Sequence, residues 1–288
     1  MNVVFIGSGN LATQLALAFQ AKGINICQIY NRTLSNAKEL GEKLNVPYTS
    51  DLDKLEKDAD FYFYAVKDSA LKGVLKKVQK PDAIHVHTSG TTPISVFDGL
   101  ATRYAVFYPL QTFSKDKAVD FSIIPVFIEA SHIEIQRELT ELAKMVTTKI
   151  YNVNSEQRKK LHLAAVFACN FTNYMYDMAF ETLRNSGIGF ELLHPLIAET
   201  ADKVKYMTPK DAQTGPAVRY DVNIINKHLD SLKRKPHMRY IYKDLSKAIY
   251  ERHKKAKTNR NLTLNRLMDK VIRGVLGIIY PKKRRTRR

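Results

Sequence analysis

The chain is poor in the features that would tie it to a secreted, metal-stapled or membrane-spanning class. It has two cysteines in 288 residues, Cys27 and Cys169, with no C-x-x-C. That excludes a disulfide framework and a cysteine-rich zinc site, and it fits a reducing compartment. No apolar run is long enough to span a membrane. The chain opens directly into an apolar strand with no leader-like segment before it, so the expected location is cytoplasmic. There are no internal repeats, no zinc-finger spacing and no paired aromatic signature of a dedicated nucleic-acid module. Acidic residues are scarce: 28 Asp and Glu face 46 Lys and Arg, for a net charge of +18. Residues 254–288 take 13 of those bases and a single acid, Asp269, which leaves 33 bases and 27 acids elsewhere. The basicity is therefore mostly a property of the C-terminal end.

The richest stretch is the first 35 residues. Val3-Val4-Phe5-Ile6 reads as a short buried strand running into Gly7-Ser8-Gly9-Asn10-Leu11-Ala12, a G-x-G-x-x-A turn. Leu11, Leu15, Ala18 and Phe19 then recur at helical spacing. A strand before and a helix after are the context that gives a dinucleotide fingerprint its meaning. Gly7 permits the tight turn, Gly9 lets backbone approach a pyrophosphate, and Ala12 keeps the helix close to the sheet. The helix N-terminus offers free N–H groups to the phosphates.

One absence chooses the cofactor. An NAD site usually places Asp or Glu at the end of the second strand, about 20 residues past the glycines. Here that strand, 24–30, is followed by Asn31-Arg32-Thr33, and the first acid is Glu39. A guanidinium beside amide and hydroxyl donors suits a 2′-phosphate. The expectation is NADP.

Strands and helices alternate through the first half, with strands near 61–66, 83–87, 104–108, 124–128 and 149–153 and helices at 34–44, 69–78 and 132–146. The pattern is a doubly wound α/β sheet. From Ser155 strand signals vanish. A long helix to about Asn185, a second over 189–206, a start at Thr208-Pro209, a helix capped by Asp221 through Leu232 and another over 237–256 make an all-helical second half. The expected domains are 1–154, 155–256 and a tail, 257–288. In the tail Leu264, Leu267, Met268, Val271, Val275 and Ile278 form an apolar stripe before the basic run Lys282 to Arg288. Three readings stand for it: a terminal helix docked on the body, weak contact with an anionic membrane surface, and non-specific nucleic-acid contact.

Ligands of open α/β sheets bind at the carboxyl ends of the strands. Ala65-Val66-Lys67-Asp68, His87-Thr88-Ser89-Gly90 and Tyr108-Pro109-Leu110-Gln111-Thr112 end strands there. Ala65, Val66, Lys67 and Ser89 are the candidate neighbours of a bound nicotinamide, Lys67 reading equally as a solvated surface charge. On the long helix His162, Cys169 and Asn173 are spaced to share one face, with Asn170 beside them. His162 is a candidate proton donor and Asn170 a candidate substrate-holding amide; a structural histidine is the bland alternative. Gly215-Pro216 projects Arg219, a candidate clamp for an anionic substrate.

The Gly7 turn, the Asn31-Arg32-Thr33 loop, Ala65 to Asp68 and the helical second half resemble the neighbourhood of pyrroline-5-carboxylate reductase and 6-phosphogluconate dehydrogenase. The stretches from His162 to Asn170 and from Thr214 to Asp221 are more closely similar to an uncharacterised bacterial family. Its members pair a Rossmann-like domain with a helical domain of unknown function, and are labelled NADP, or deazaflavin-dependent NADP, oxidoreductases. The resemblance covers about residues 1–255. It implies a Rossmann-like fold, an NADP site, dimers through the helical domain, and a role for His162 in an interdomain cleft. One departure stands out: 3-hydroxyacid dehydrogenases place a Lys four residues before an Asn, whereas here Val166 precedes Asn170 and Cys169 precedes Asn173. Two functions follow: an NADP-dependent reductase or dehydrogenase of a small carbonyl or imine substrate, or a non-catalytic NADP-binding sensor or interaction protein tethered by its basic tail.

Overall fold

A computed structural model describes residues 1–254, with Gln79 and Pro81 excepted. The tail expected at 257–288 lies outside the described residues. Two compact units divide the chain between Tyr174 and Met175.

The first unit is one eight-stranded sheet with helices on its faces. Its elements are β1 (Asn2–Ile6), α1 (Asn10–Ala21), β2 (Asn25–Tyr30), α2 (Leu34–Leu44), β3 (Tyr48–Thr49), β4 (Phe61–Tyr64), α3 (Asp68–Leu75), β5 (Ile84–His87), β6 (Tyr104–Pro109), β7 (Val126–Ala130), α4 (Ile133–Lys144), β8 (Ile150–Asn152) and α5 (Ser155–Ala165). The strand order is β3-β2-β1-β4-β5-β6-β7-β8. Every pairing is parallel except β6 with β7. The chain winds outward from β1 to β3 and then restarts at β4 on the other side of β1. The loops after β1 and β4 therefore diverge at a switch point, where open sheets of this class bind ligands.

The sheet sorts its residues by parity, as the two-residue period of a strand requires. In β4, Phe61 and Phe63 face one layer and Tyr62 and Tyr64 the other. The first layer is hydrocarbon: Phe5, Phe19, Phe63 and Phe107 pack ring to ring, with centroids 5.4–6.0 Å apart. The second layer mixes rings with hydrogen bonds. Tyr64 Oη lies 2.7 Å from His85 Nδ1, and His85 Nε2 lies 2.9 Å from the Lys80 carbonyl. A proton on Nε2 satisfies both contacts, so buried His85 is fully partnered. Burial lowers its pKa.

The strand-to-helix change falls at Ser155, as its sequence indicates, but the first unit runs on to Tyr174. The reason is that α5 is fastened to the sheet. Asn154 caps it, accepting from Gln157 N while the Gln157 side chain accepts from Asn154 N. This capping box fixes the entry of the chain. Arg158 then anchors the first turn.

After α5 comes a π-helical segment, Val166–Phe171, and then α6 (Thr172–Leu183). The second unit is helical throughout its described residues: most of α6, α7 (His194–Lys203), α8 (Pro216–Arg219), α9 (Val222–Ser231) and a helix over 236–254. Asp221 caps α9 by accepting from Ile224 N, as its position predicted. Two expectations are corrected here. The helix expected over 189–206 is a 3-10 turn at Phe190–Leu193 followed by α7. Thr208-Pro209 opens only a turn, in which Thr208 Oγ1 accepts from Asp211 N and donates to the Asp211 carboxylate. The short strand β3 was not expected; two residues are too few to show a period. Among the described residues no helix is long and apolar enough to cross a membrane.

Candidate functional site

The turn after β1 has the shape its sequence predicts. Gly7 has φ +116°, and a Cβ there would lie 2.3 Å from the Ala65 carbonyl oxygen. Only glycine fits, because the turn runs against the end of β4. Gly9 is the N-cap of α1, and a Cβ on it would meet nothing within 4 Å. The first turn of α1 carries no acidic side chain and no side-chain cap. Its leading N–H groups and positive dipole end are thus left for an anion. A pyrophosphate is the group this cradle fits: open space in front of Gly9, unspent donors and no opposing charge.

The β2–α2 loop is tied to the same turn. Asn31 Nδ2 donates to buried Ser8 Oγ at 2.7 Å, and Asn31 Oδ1 accepts from Thr33 N at 3.0 Å. Ser8 and Asn31 therefore act first on each other, holding the two loops in register. Arg32 and Thr33 are exposed, and Arg32 makes no ion pair among the described residues. From the other side Asn10 Nδ2 donates to the Phe113 carbonyl and Gln14 Nε2 to Ser114 O, folding the 111–119 loop against α1. Leu11 is half-buried and packs on the first core layer.

At the ends of β4 and β5 the candidates differ in character. Ala65 and Val66 are half-buried beside Gly7. Lys67 is exposed at the N-cap of α3. Ser89 Oγ accepts from Thr91 N and Thr92 N, so its hydroxyl shapes its own loop. Asp68 accepts from Thr91 Oγ1. Burial alone would raise the Asp68 pKa; hydrogen bonds from Thr91, Ser89 and Thr92 outweigh it and hold the carboxyl below its usual value.

His162 stands at this same edge. Its Nδ1 is 3.0 Å from the hydroxyl of Tyr108 on β6. The ring sits so close to Gly90 that a Cβ there would lie 2.6 Å from Nδ1. Burial raises the pKa of Tyr108, with the Arg158 charge acting the other way.

Sequence reasoning missed what holds His162 in place. Arg158, one helical turn before it, is fully buried. It pairs with Glu129 on β7 and donates to the carbonyls of Ser89 and Thr92. Ser155 completes the cluster, donating from both N and Oγ to Glu129. His87 lies beneath, with Nδ1 accepting from Ser89 N. Burial, then the Arg158 charge, push its pKa down to about 3. One signal was available: Glu129 is a single acid inside an apolar strand sequence, which demands a buried cation.

The polar stripe expected along the helix does not form. Cys169, Asn170 and Asn173 are exposed. Leu163, Phe167 and Phe171 are exposed too, so this stretch is uncovered among the described residues; within it, i→i+5 bonding widens the turn. Thr172 Oγ1 follows the wider register by donating to Phe167 O. Arg219 closes α8 in the second unit, after Gly215 at φ +102°. That unit has its own groove of about 360 Å³, lined by Met175, Met178, Leu232, Met238 and Ile241 among others. His228 in its lining is bonded to Tyr242.

Comparison with known proteins agrees with this architecture. Residues 2–89 match the family described as NADP oxidoreductase coenzyme F420-dependent, and residues 124–249 match a domain of unknown function, DUF2520. The solved structure of a "putative NADP oxidoreductase" from Bacteroides fragilis is 47% identical, with TM-score 0.84, covering 87% of this chain and 98% of that one. The pyrroline-5-carboxylate reductase of Staphylococcus epidermidis is 31% identical over 108 residues, 36% of this chain. The chain spans only 38% of that curated relative's length. An imine reductase from Myxococcus stipitatus, solved with NADP+, shares the fold at 15% identity and TM-score 0.64, over 90% of this chain and 95% of that one. The chain belongs to the NADP oxidoreductase family that joins an F420-dependent-type Rossmann domain to a DUF2520 C-terminal domain.

Proposed function

We propose that this protein is an NADP(H)-dependent cytoplasmic oxidoreductase acting on a small carbonyl or imine substrate. The observation that carries the reading is the bare N-terminus of α1 at the sheet's switch point, open in front of Gly9 and bordered by Arg32 where an NAD site would carry an acid. Gly7, Ser8, Gly9, Asn10 and Leu11 form the pyrophosphate turn. Asn31, Arg32 and Thr33 take the 2′-phosphate, and Ala65, Val66, Lys67 and Ser89 border the nicotinamide. The bound cofactor supplies or accepts a hydride. His162 handles the proton, Asn170 holds substrate, and Arg219 in the second unit binds an anionic substituent. The helical unit is the homodimer surface. NADP+ in the imine reductase of the same fold supports the cofactor assignment.

The test is a fluorescence titration with NADPH and NADH. Wild type should bind NADPH more tightly, and Arg32→Glu should weaken NADPH about 10- to 100-fold while leaving NADH nearly unchanged, the scale of one charge-assisted pair. Equal losses for both nucleotides would remove the 2′-phosphate assignment. Failure of wild type to bind either would favour a non-catalytic interaction protein.

A further inference from the structure

Three elements converge on the His162 imidazole. Tyr108 brings its hydroxyl from β6 to within 3.0 Å of Nδ1. Gly90 leaves room for the ring, since a Cβ there would stand 2.6 Å from Nδ1 and 2.9 Å from Tyr108 Cζ. Arg158 holds the carbonyls of Ser89 and Thr92, on either side of that glycine. Nε2, across the ring, has no hydrogen-bond partner among the described residues, and the residue is half-buried. One nitrogen is held by Tyr108 and the other is left without a partner. A histidine used only for packing needs no such asymmetry.

We propose that Tyr108 and His162 form a two-residue proton relay: His162 delivers its Nε2 proton to the oxygen of a carbonyl substrate while Nδ1 takes the hydroxyl proton of Tyr108. This deepens the oxidoreductase reading and rests on it. A reduced nicotinamide supplies the hydride, which forms the new C–H bond as the carbonyl π pair moves to oxygen. That oxygen takes the Nε2 proton and becomes a hydroxyl. The imidazole ends neutral with its tautomer reversed. Tyr108 ends as a phenolate; Nδ1 then returns that proton to it as Nε2 takes a proton from water, which restores the starting tautomer. An alkoxide is a stronger base than a phenolate, so the transfer runs downhill.

The surroundings suit both ends of the step. Burial keeps the Tyr108 hydroxyl protonated before reaction, and the Arg158 charge favours the phenolate formed afterwards. Arg158 is itself paired with Glu129. Next to the loop carrying Gly90 stand His87 at the end of β5, which burial keeps neutral, and Asp68 at the start of α3, which accepts from Thr91. The relay also separates substrate classes. A carbonyl consumes a proton on reduction, whereas a cationic iminium accepts hydride without one, so Tyr108 matters for carbonyls.

Histidine-selective 15N NMR on the full chain reads the relay without substrate, the His162 signals being assigned with His162→Gln. At about pH 9, where imidazoles are ordinarily neutral, wild-type His162 should carry its proton on Nε2. Tyr108→Phe keeps the ring and removes only the hydroxyl; it should change the His162 tautomer ratio and leave the other imidazoles alone. Gly90→Ala should act the same way by displacing the ring. A wild-type proton on Nδ1, or a ratio indifferent to Tyr108→Phe, overturns the proposal.

With NADPH and short 2-oxo acids as probes, Tyr108→Phe should lower kcat about 100-fold near pH 8, the scale of one general-acid contribution. KM should hold. An unchanged kcat, or a loss carried by KM alone, overturns the relay. NADPH titration of both proteins separates the two failures. Lost binding in wild type sinks the cofactor reading, while intact binding with an unresponsive tautomer sinks only the relay.

Discussion

The two units spend their apolar residues in opposite ways. In the first, the strands and the helices on the sheet enclose an extensive buried core, which also holds polar pairs: Arg158 with Glu129, Tyr64 with His85, Ser8 with Asn31. In the second, Ile225 and Leu229 are the buried apolar residues among those described, while Leu192, Leu196, Tyr206 and Tyr240 are each more than 60% exposed. Isolated exposed apolar residues are ordinary, but an accumulation of them marks an interaction surface. The first unit is thus built to hold a shape on its own, and the second to be covered. A symmetric copy of the chain is the proposed cover, since one self-complementary patch serves both partners.

The comparison is best broken at Arg158. Arg158→Met leaves Glu129 charged and without its cation in a site where only 14% of its side chain is exposed. The expected loss is about 3–5 kcal/mol, seen as a lower denaturation midpoint in urea. A loss under 1 kcal/mol would mean that the clamp is incidental to the first unit.

Acid should act next, and again on the first unit. His87 has its pKa depressed to about 3 by burial, against an unfolded value of about 6.5. Between those two pH values the unfolded chain binds a proton that the folded chain refuses. Stability therefore falls as pH drops through that window, by up to about 1.4 kcal/mol per pH unit. The loss should level off near pH 3. Unfolding followed from pH 7 to pH 4 in wild type and His87→Asn should show a slope that the variant lacks; identical slopes would mean that His87 is solvated.

Smaller still is the cap of α5. Asn154→Ala should cost about 1 kcal/mol, measured by thermal melting, and Gln157→Ala should cost less. The smallest effect on folding is expected in the second unit, where Leu196→Glu should change stability by no more than about 0.5 kcal/mol. In sedimentation the same change should shift the protein from dimer to monomer. An unchanged sedimentation coefficient would remove that face from the interface.

What the sequence made legible follows from range. The Gly7 turn, the boundaries of α2 and the Asp221 cap are local, set by residues within one turn of each other, and all three stand where local chemistry puts them. The Arg158–Glu129 pair joins residues 29 apart in sequence, and the Tyr108–His162 contact joins residues 54 apart. Neither leaves a periodic trace. The stripe of His162, Cys169 and Asn173 was expected on an uninterrupted α-helix and buried; Cys169 and Asn173 are exposed, and nothing in Val166–Phe171 announces the wider turn. Thr208-Pro209 has the chemistry of a helix start, yet it closes only a turn.

The alternation in β4 has a consequence for how this sheet assembles. Phe61-Tyr62-Phe63-Tyr64 is equally apolar in either register, so hydrophobicity alone does not tell the strand which way to face. The hydroxyls do. A slip of one residue would carry Phe63 out and force phenols in among Phe5, Phe19 and Phe107, and would leave His85 without its donor. The strand thus carries its own register check: the hydroxyls of Tyr62 and Tyr64 find their acceptors in only one of the two alignments.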